Sequence, residues 1–276
     1  MEKKMFLLTI FGLFMAIVAN MSGVEGGVIF VPLFILIFQL SPQEAAGVSM
    51  ATMVFGLGAG SLAYARQRRI DFRLGGVLLI ATLPGTILGA MLTPYLSSGV
   101  LETVLGLLLI PLGFLLMHRR KLQSGIHALD KAQSGWRRVW RDSTGQEIAY
   151  TVRRISAGLP VYFIIGFLAG LLGIGGGAFL VPAFILLLGG TPHVAVATSV
   201  FMMAIIALTG ALIHGAVGNI RLDYVLYLIP GVLVGSQIGA WLAAKTTATF
   251  LMKLLRVFLV LTGLAVIAKG FGLLGG

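Results

Sequence analysis

The chain has 276 residues, is 58% hydrophobic and only 11% charged, and carries a formal net charge of +11. No soluble domain has a core large enough to hold so much apolar surface, so the composition predicts a polytopic membrane protein. The absence of cysteine excludes disulfides and thiolate metal sites. The positive charge does not call for nucleic acid, because nine of the twenty Lys and Arg residues fall within 118–157, where the positive-inside rule places a cytoplasmic loop.

Apolar stretches follow one another along the chain, and most are long enough to cross a bilayer, which takes about 20 residues. Two glycine clusters interrupt them, Gly23–Gly27 and Gly173–Gly177, each followed at the same distance by a proline. Each glycine inside a helix costs roughly 1 kcal/mol relative to alanine, so each cluster predicts a break between two helices. The stretches are 5–22, 28–40, 45–65, 74–96, 100–117, 158–172, 178–190, 194–217, 224–244 and 250–270.

The two halves of the sequence match at a constant offset of 150 residues, which predicts an internal duplication. The predicted fold is an all-α polytopic membrane protein with two homologous repeats of about four membrane helices each, each repeat with a Gly-rich broken helix or hairpin. We expect a first transmembrane repeat over 1–117, a basic cytoplasmic linker over 118–157 and a second repeat over 158–276, in the inner membrane. Matching pairs include Gly23 and Gly173, Gly27 and Gly177, Pro32 and Pro182, Ser49 and Ser199, and Gly85 and Gly235.

Two arrangements of the halves fit the sequence. If each glycine cluster interrupts one long tilted crossing, each half has four spans and the halves are parallel. If two half-length helices meet as a re-entrant hairpin, each half has an odd number of crossings and the halves are inverted. The charges do not decide between the two arrangements, and the parallel arrangement of four plus four is slightly preferred. The cations that favour it are Lys3, Lys4, Arg221 and Lys269, and those that favour inversion are Lys245, Lys253 and Arg256.

The linker has two candidate structures. One is a helix at the membrane interface, because apolar residues recur at near-helical spacing with arginines between them. The other is a β-hairpin, with Val139-Trp140 and Ile148–Tyr150 flanking the turn Asp142–Gly145. In both cases we expect a cytoplasmic linker held to anionic lipid. The positions of the candidate helix are Ile126, Leu129, Ala132, Trp136 and Trp140.

A duplicated helical protein with a broken helix in each half is typical of a secondary transporter, in which substrate binds against helix N-termini and unwound backbone. Helix N-termini present N–H groups and partial positive charge, so the pattern favours an anion. The alternative is that the glycines only permit close packing and the hydroxyls only join helix to helix. The predicted substrate-binding residues are Asn20, Gly23, Gly26, Gly27, Ser49, Gly173, Gly175, Gly176, Gly177, Thr198 and Ser199.

Two titratable residues are candidates for proton coupling. Glu25 lies inside the first glycine cluster, where the second half has Gly175, and a carboxylate at membrane depth costs a few kcal/mol. It is predicted to carry a coupling proton, unless it faces water at the interface. His214 could relay protons, with a structural hydrogen bond as the alternative. We expect no cofactor and no metal site, because acids are few and thiolates are absent.

Two other functions are alternatives to anion transport: hydrolysis within the membrane and transport of a metal cation. Gly47–Ala51 has the form of a serine-nucleophile turn around Ser49, with His214 as its base, which would make the protein an intramembrane serine hydrolase. Ser49 has a repeat partner, Ser199, which catalysis would not require. A carrier for a metal cation is the other alternative, and it lacks the acidic ligands that such a site needs.

Several motifs of this sequence recur together in a known family: Gly173–Pro182, its partner Gly23–Pro32, Thr191-Pro192, Ala197–Ser199, and Pro84-Gly85 with Gly89-Ala90. In these residues the sequence resembles the TauE/SafE (4-toluene sulfonate uptake permease) family of membrane transporters. The resemblance implies transport of an anionic sulfur compound, such as sulfite, a sulfonate or sulfoacetate, coupled to protons. The implied partners are a small anionic substrate, protons and the lipid bilayer, without nucleic acid; a homodimer stays open. Glu25 departs from the usual glycine-rich first motif.

Overall fold

A computed structural model describes residues 2–22, 26–126, 135–143, 145, 147–153, 155–243 and 248–273. These residues form ten α-helices, a short 3₁₀ helix and two strands, which confirms the all-α fold outside the linker. The first half contains α1 (Glu2–Ser22), α2 (Gly26–Leu36), α3 (Pro42–Arg66), α4 (Phe72–Leu92), the 3₁₀ helix (Thr93–Tyr95) and α5 (Ser98–Ile126). The remainder contains β1 (Trp136–Arg141), β2 (Glu147–Val152), α6 (Ile155–Leu172), α7 (Gly177–Leu188), α8 (Pro192–Ala216), α9 (Leu222–Ala243) and α10 (Ala248–Gly270).

Four of the described helices are long and apolar enough to cross a membrane, namely α3, α4 with its 3₁₀ extension, α6 and α8. The two helices that follow the glycine clusters are much shorter. α2 has 11 residues and α7 has 12, so each spans about 16–18 Å, roughly half of the hydrocarbon layer. The protein is therefore a helical membrane protein with one half-length helix after each break.

The helix bounds follow the offset found in the sequence. α3 occupies 42–66 and α8 occupies 192–216, while α4 and α9 begin at Phe72 and Leu222. Equivalent segments of the two halves thus form equivalent helices. This agreement supports the predicted duplication, which itself stays a prediction.

Each break turns the chain back on itself. The N–H of Arg153, just before α6, donates to the carbonyl of Leu188 at the end of α7, at 3.1 Å. In the first half the ring of Phe11 on α1 lies 6.0 Å from that of Phe34 and 4.8 Å from that of Phe38, so α2 runs back along α1. Each short helix therefore completes a re-entrant pair and does not continue a tilted crossing.

Counterpart helices of the two halves run antiparallel. A Cβ atom placed on Gly99, at the start of α5, would lie 2.8 Å from the carbonyl oxygen of Gly270, at the end of α10. One placed on Gly113 would lie 3.4 Å from the carbonyl oxygen of Arg256, near the start of α10. α3 and α8 pack with the same antiparallel sense. The halves are thus inverted, and the slight preference for the parallel arrangement was wrong.

The β-hairpin lies on one face of the molecule, and α3 and α9 begin on the opposite face. Two cations that favoured the parallel arrangement lie on this opposite face beside acids. Arg221 is 2.9 Å from Asp223 and 3.4 Å from Glu44, and Lys269 is 4.0 Å from Glu102. These acids offset the positive charge of the opposite face, which counting cations alone does not detect.

Within the predicted linker, Trp136–Arg141 and Glu147–Val152 form the β-hairpin, while α5 extends into the linker as far as Ile126. β1 and β2 pair antiparallel, with Trp136 opposite Val152 and Trp140 opposite Ile148. The hairpin alternative is therefore confirmed, and the interfacial helix is wrong for the two tryptophans, since both lie in a strand. The indole N–H of Trp140 donates to the carbonyl of Arg68 at 2.8 Å, which ties the hairpin to the turn between α3 and α4. Two further positions of the predicted helix, Leu129 and Ala132, lie outside the described residues.

The largest helix contacts join one half of the chain to the other. α1 packs along α9, α4 along α6, α5 along α10 and α3 along α8. Glycines allow these close approaches: Gly231 of α9 lies against the backbone of Thr9, and Gly85 of α4 against the backbone of Phe163. The half-length helices α2 and α7 are mostly buried among these helices.

Candidate functional site

The second break is a turn built from left-handed glycines. Gly173, Gly175 and Gly176 have φ angles of +70°, +74° and +86°. Residues with a Cβ atom rarely adopt this conformation, so the glycines are required by the backbone itself. α7 begins directly afterwards at Gly177, and its first turn points into the break.

The two re-entrant pairs meet at their breaks. A Cβ atom on Gly27, in the first turn of α2, would lie 2.8 Å from both the carbonyl oxygen of Gly173 and the Cα of Ile174. The N-terminal end of α2 thereby packs against the second break, three residues before α7 begins. Gly23 and Glu25 lie outside the described residues, so the first break is described only from Gly26 onward.

Ser49 joins α3 to the second break. Its hydroxyl is buried and donates to the carbonyl oxygen of Gly173 at 2.8 Å. The backbone of Ala46, one turn earlier, packs directly against Gly173. The hydroxyl thus joins α3 to the loop after α6, which is the structural role given above as the alternative to substrate binding. Its role as a ligand stays a prediction.

Ser199, the counterpart of Ser49, has different surroundings. Its hydroxyl is fully buried and has no hydrogen-bond partner among the described residues. A buried polar group without a partner costs about 1–3 kcal/mol, so such a group calls for a ligand or another explanation. The neighbouring Thr198 accepts a hydrogen bond from the N–H of Asp71 at 3.0 Å, towards the β-hairpin face. Asn20 lies in α1, and its side chain is outside the described part.

His214 is connected to the second break through α6. Its Nε2 lies 2.9 Å from the carbonyl oxygen of Gly170, one turn before Gly173, and its Nδ1 lies 3.3 Å from the side-chain nitrogen of Asn219. A carbonyl only accepts, so Nε2 carries the hydrogen, and the amide of Asn219 donates to Nδ1. The buried imidazole is therefore satisfied in its neutral form, as expected of a structural histidine.

The geometry does not assemble a hydrolase or a metal site in the described residues. Ser49 donates to Gly173 and His214 donates to Gly170, so the two side chains do not form a nucleophile–base pair. Within the described ranges no group of three or more His, Cys, Asp or Glu residues is arranged to hold a metal ion.

Sequence analysis missed a buried ionic cluster at the β-hairpin face. The carboxylate of Asp71 receives two hydrogen bonds from Arg138 of β1, both at 2.7 Å, and one from the hydroxyl of Tyr150 of β2, also at 2.7 Å. Asp71 also caps α4 by accepting from the N–H of Leu74 at 3.0 Å. An N-cap Asp before an apolar helix was a readable signal, but its partner 67 residues away was not.

The surroundings of Asp71 favour its ionised form. Burial of the carboxyl acts to raise its pKa, but the hydrogen bonds from Arg138, Leu74 and Tyr150 outweigh burial and hold the pKa below its usual range. Burial and the neighbouring carboxylate of Asp71 raise the pKa of Tyr150, so its hydroxyl remains a donor. The cluster therefore carries one carboxylate and one guanidinium at neutral pH.

A half-length helix after each of two glycine breaks, inside a helical membrane protein, is typical of membrane transporters. A family profile described as "Sulfite exporter TauE/SafE" matches residues 8–266. The chain belongs to this family. It is 31% identical over 271 residues to the probable membrane transporter protein YunE of Bacillus subtilis (strain 168), covering 96% of this chain and 97% of that protein.

More distant relatives carry the same kind of name. The chain is 26% identical to the probable membrane transporter protein YdhB of Bacillus subtilis (strain 168), over 84% of this chain and 86% of that one. It is 25% identical to the probable membrane transporter protein y4hK of Sinorhizobium fredii (strain NBRC 101917 / NGR234), over 81% and 83%. No solved structure matches the chain. The protein is therefore a membrane transporter, which confirms the coarse prediction from sequence.

Proposed function

We propose that this protein is a secondary transporter that moves a small sulfur-containing anion of the sulfite, sulfonate or sulfoacetate type, driven by protons. The family name supports the substrate class. The protein would lie in the inner membrane with its β-hairpin in the cytoplasm, because the hairpin face carries the exposed cations Arg66, Arg68, Arg73 and Arg137.

One observation carries the proposal: the N-terminal end of α2 packs at Gly27 against Gly173 and Ile174 of the second break, three residues before α7 begins. The N-terminal ends of α2 and α7 would both contribute partial positive charge near this contact, and glycine lets an anion approach the backbone there. An oxyanion between the two ends would interact with both halves of the protein at once. A cation there would meet two positive helix ends and few acids.

The remaining predicted residues receive roles in this proposal. The unpartnered hydroxyl of Ser199 would donate to an oxygen of the anion. Glu25 would carry a coupling proton close to the anion, so that the two charges compensate each other. A change of conformation at the second break would reach His214 through its hydrogen bond to Gly170.

The experiment compares two glycine variants in proteoliposomes loaded for uptake of labelled sulfite under an imposed pH gradient. Gly27→Ala should reduce transport by at least roughly tenfold, because the new methyl group would overlap the turn at Gly173 and Ile174. Gly76→Ala is the control, since a Cβ atom on this α4 glycine would meet nothing within 4 Å. Wild-type protein that moves neither sulfite nor a sulfonate would contradict the proposal, as would full transport by Gly27→Ala.

A further inference from the structure

A buried carboxylate on α5 has no role in the proposed anion site. Glu102 lies in the second turn of α5 and is 5% exposed. Its Oε1 lies 4.0 Å from Nζ of Lys269, near the end of α10, and its Cβ packs against Gly270. A carboxylate on an apolar membrane helix is costly to bury, so its retention suggests a function.

Among the described residues, Lys269 is the charged group that faces Glu102. α10 contributes that lysine, while the end of α2 and the following loop contribute the neutral Gln39. Glu44 of α3, the next acid on this face, is directed instead to Ser41 and Arg221. The charge of Glu102 is therefore balanced by one partner.

Lys269 also holds the end of the half-length helix α2. Its ammonium donates to the carbonyl oxygen of Ile35 and to the side-chain oxygen of Gln39, both at 2.8 Å. α2 begins at the first break, so its far end is joined through one lysine to the carboxylate of Glu102. The same ammonium thus serves an ion pair and a helix C-terminus.

We propose that Glu102 binds a coupling proton on the face opposite the β-hairpin, and that its ion pair with Lys269 transmits this event to α2. The proposal rests on the proton-coupled function proposed above. A hydronium ion at this face gives a proton to the Glu102 carboxylate and becomes water, Lys269 keeps its own proton, and the pair changes from neutral to singly positive. The ammonium then faces two neutral oxygens in apolar surroundings, which favours its movement into water and the release of Ile35 and Gln39.

Hydrogen–deuterium exchange of purified protein tests this coupling without any substrate. After correction for the intrinsic pH dependence of exchange, amides of residues 33–40 should exchange roughly tenfold faster in acid than at neutral pH in wild-type protein. Glu102→Gln imitates the protonated acid and should exchange fast at every pH. Asp223→Asn is the control, because this acid lies on the same face with its side chain 53% exposed, and it should behave as wild type.

A second variant keeps the test valid if Glu102→Gln does not fold. Lys269→Met removes the link to α2 and should also exchange fast at every pH. Wild-type exchange that does not depend on pH, or a pH response retained in Glu102→Gln or in Lys269→Met, would overturn the proposal.

Transport assays separate this proposal from the proposed function. In proteoliposomes Glu102→Gln should lose accumulation driven by a pH gradient, by roughly tenfold or more, and keep anion exchange at equal pH on both sides. Accumulation equal to that of wild type would overturn the role of Glu102. Wild-type protein that moves no sulfur anion would contradict only the proposed function, because the hydrogen–deuterium exchange experiment measures the coupling of Glu102 to α2 without any substrate.

Discussion

Ser49 and Ser199 hold equivalent places in the two halves of the sequence, but their hydroxyls differ in their hydrogen bonds, and only Ser199 is proposed to bind the anion. The hydroxyl of Ser49 donates a hydrogen bond to the carbonyl of Gly173 in the second break, whereas that of Ser199 has no partner among the described residues. Ser49→Ala should lower the free energy of unfolding by about 1–3 kcal/mol, because the carbonyl of Gly173 loses its donor. Ser199→Ala should change it by less than about 0.5 kcal/mol but weaken anion binding. Thermal unfolding with and without sulfite checks both, and equal destabilisation by the two variants would contradict this division.

Asp71 gives the stability of the protein a defined pH dependence. Asp71→Asn should lower the free energy of unfolding by about 2–4 kcal/mol at neutral pH, because Arg138 loses its carboxylate. The folded pKa of Asp71 is depressed, so its contribution is complete above the unfolded pKa of about 4 and is lost as pH falls through the folded pKa. The difference in Tm between wild type and variant should therefore narrow in acid.

The matched control for this cluster lies on the same strand. Arg137 precedes Arg138, points to the other side of the hairpin and is exposed. Arg137→Gln should leave Tm within about 1–2 °C at every pH, whereas Arg138→Gln should resemble Asp71→Asn. A gap between Asp71→Asn and wild type that stays constant down to strongly acidic pH would contradict the role of the ionised carboxylate.

At the scale of the element, the breaks could be predicted because their cause is local. Three left-handed glycines at 173, 175 and 176 are a property of a five-residue sequence, and the half-length helix after them follows from their spacing to the next loop. The β-hairpin was also readable from its turn and flanking strands. Its anchor was not, since the ion pair between Arg138 and Asp71 joins residues that only the fold brings together.

At the scale of the whole molecule, the relative orientation of the two halves could not be predicted from composition and charge. Arg221 and Lys269 favoured the parallel arrangement, but each lies beside an acid contributed by another helix. The antiparallel packing of α5 with α10 shows that the halves are inverted. This packing joins residues far apart in the sequence, so composition could not predict it. Likewise, Glu102 was visible as an acid within the apolar stretch 100–117, but its link through Lys269 to α2 was not.

The inverted arrangement places the end of α10 on the face opposite the β-hairpin, which labelling can test. The chain contains no cysteine, so Arg137→Cys and Phe271→Cys each introduce a single thiol. Both positions are exposed, and Phe271 is 68% exposed. A membrane-impermeant maleimide applied to intact cells should label Phe271→Cys and should label Arg137→Cys only after lysis. Labelling of both from the same side would contradict inversion.

The pairing of α1 with α9 has a consequence for biosynthesis. α1 is synthesised early, but α9, the helix that packs along it, begins about 200 residues after α1 ends, which a ribosome needs roughly 10–40 s to synthesise. During that interval the backbone around Thr9, which later receives Gly231, faces lipid or α2 instead. The native assembly therefore closes late, and a nascent chain that stops before α9 leaves its first helix without its main neighbour in the bilayer.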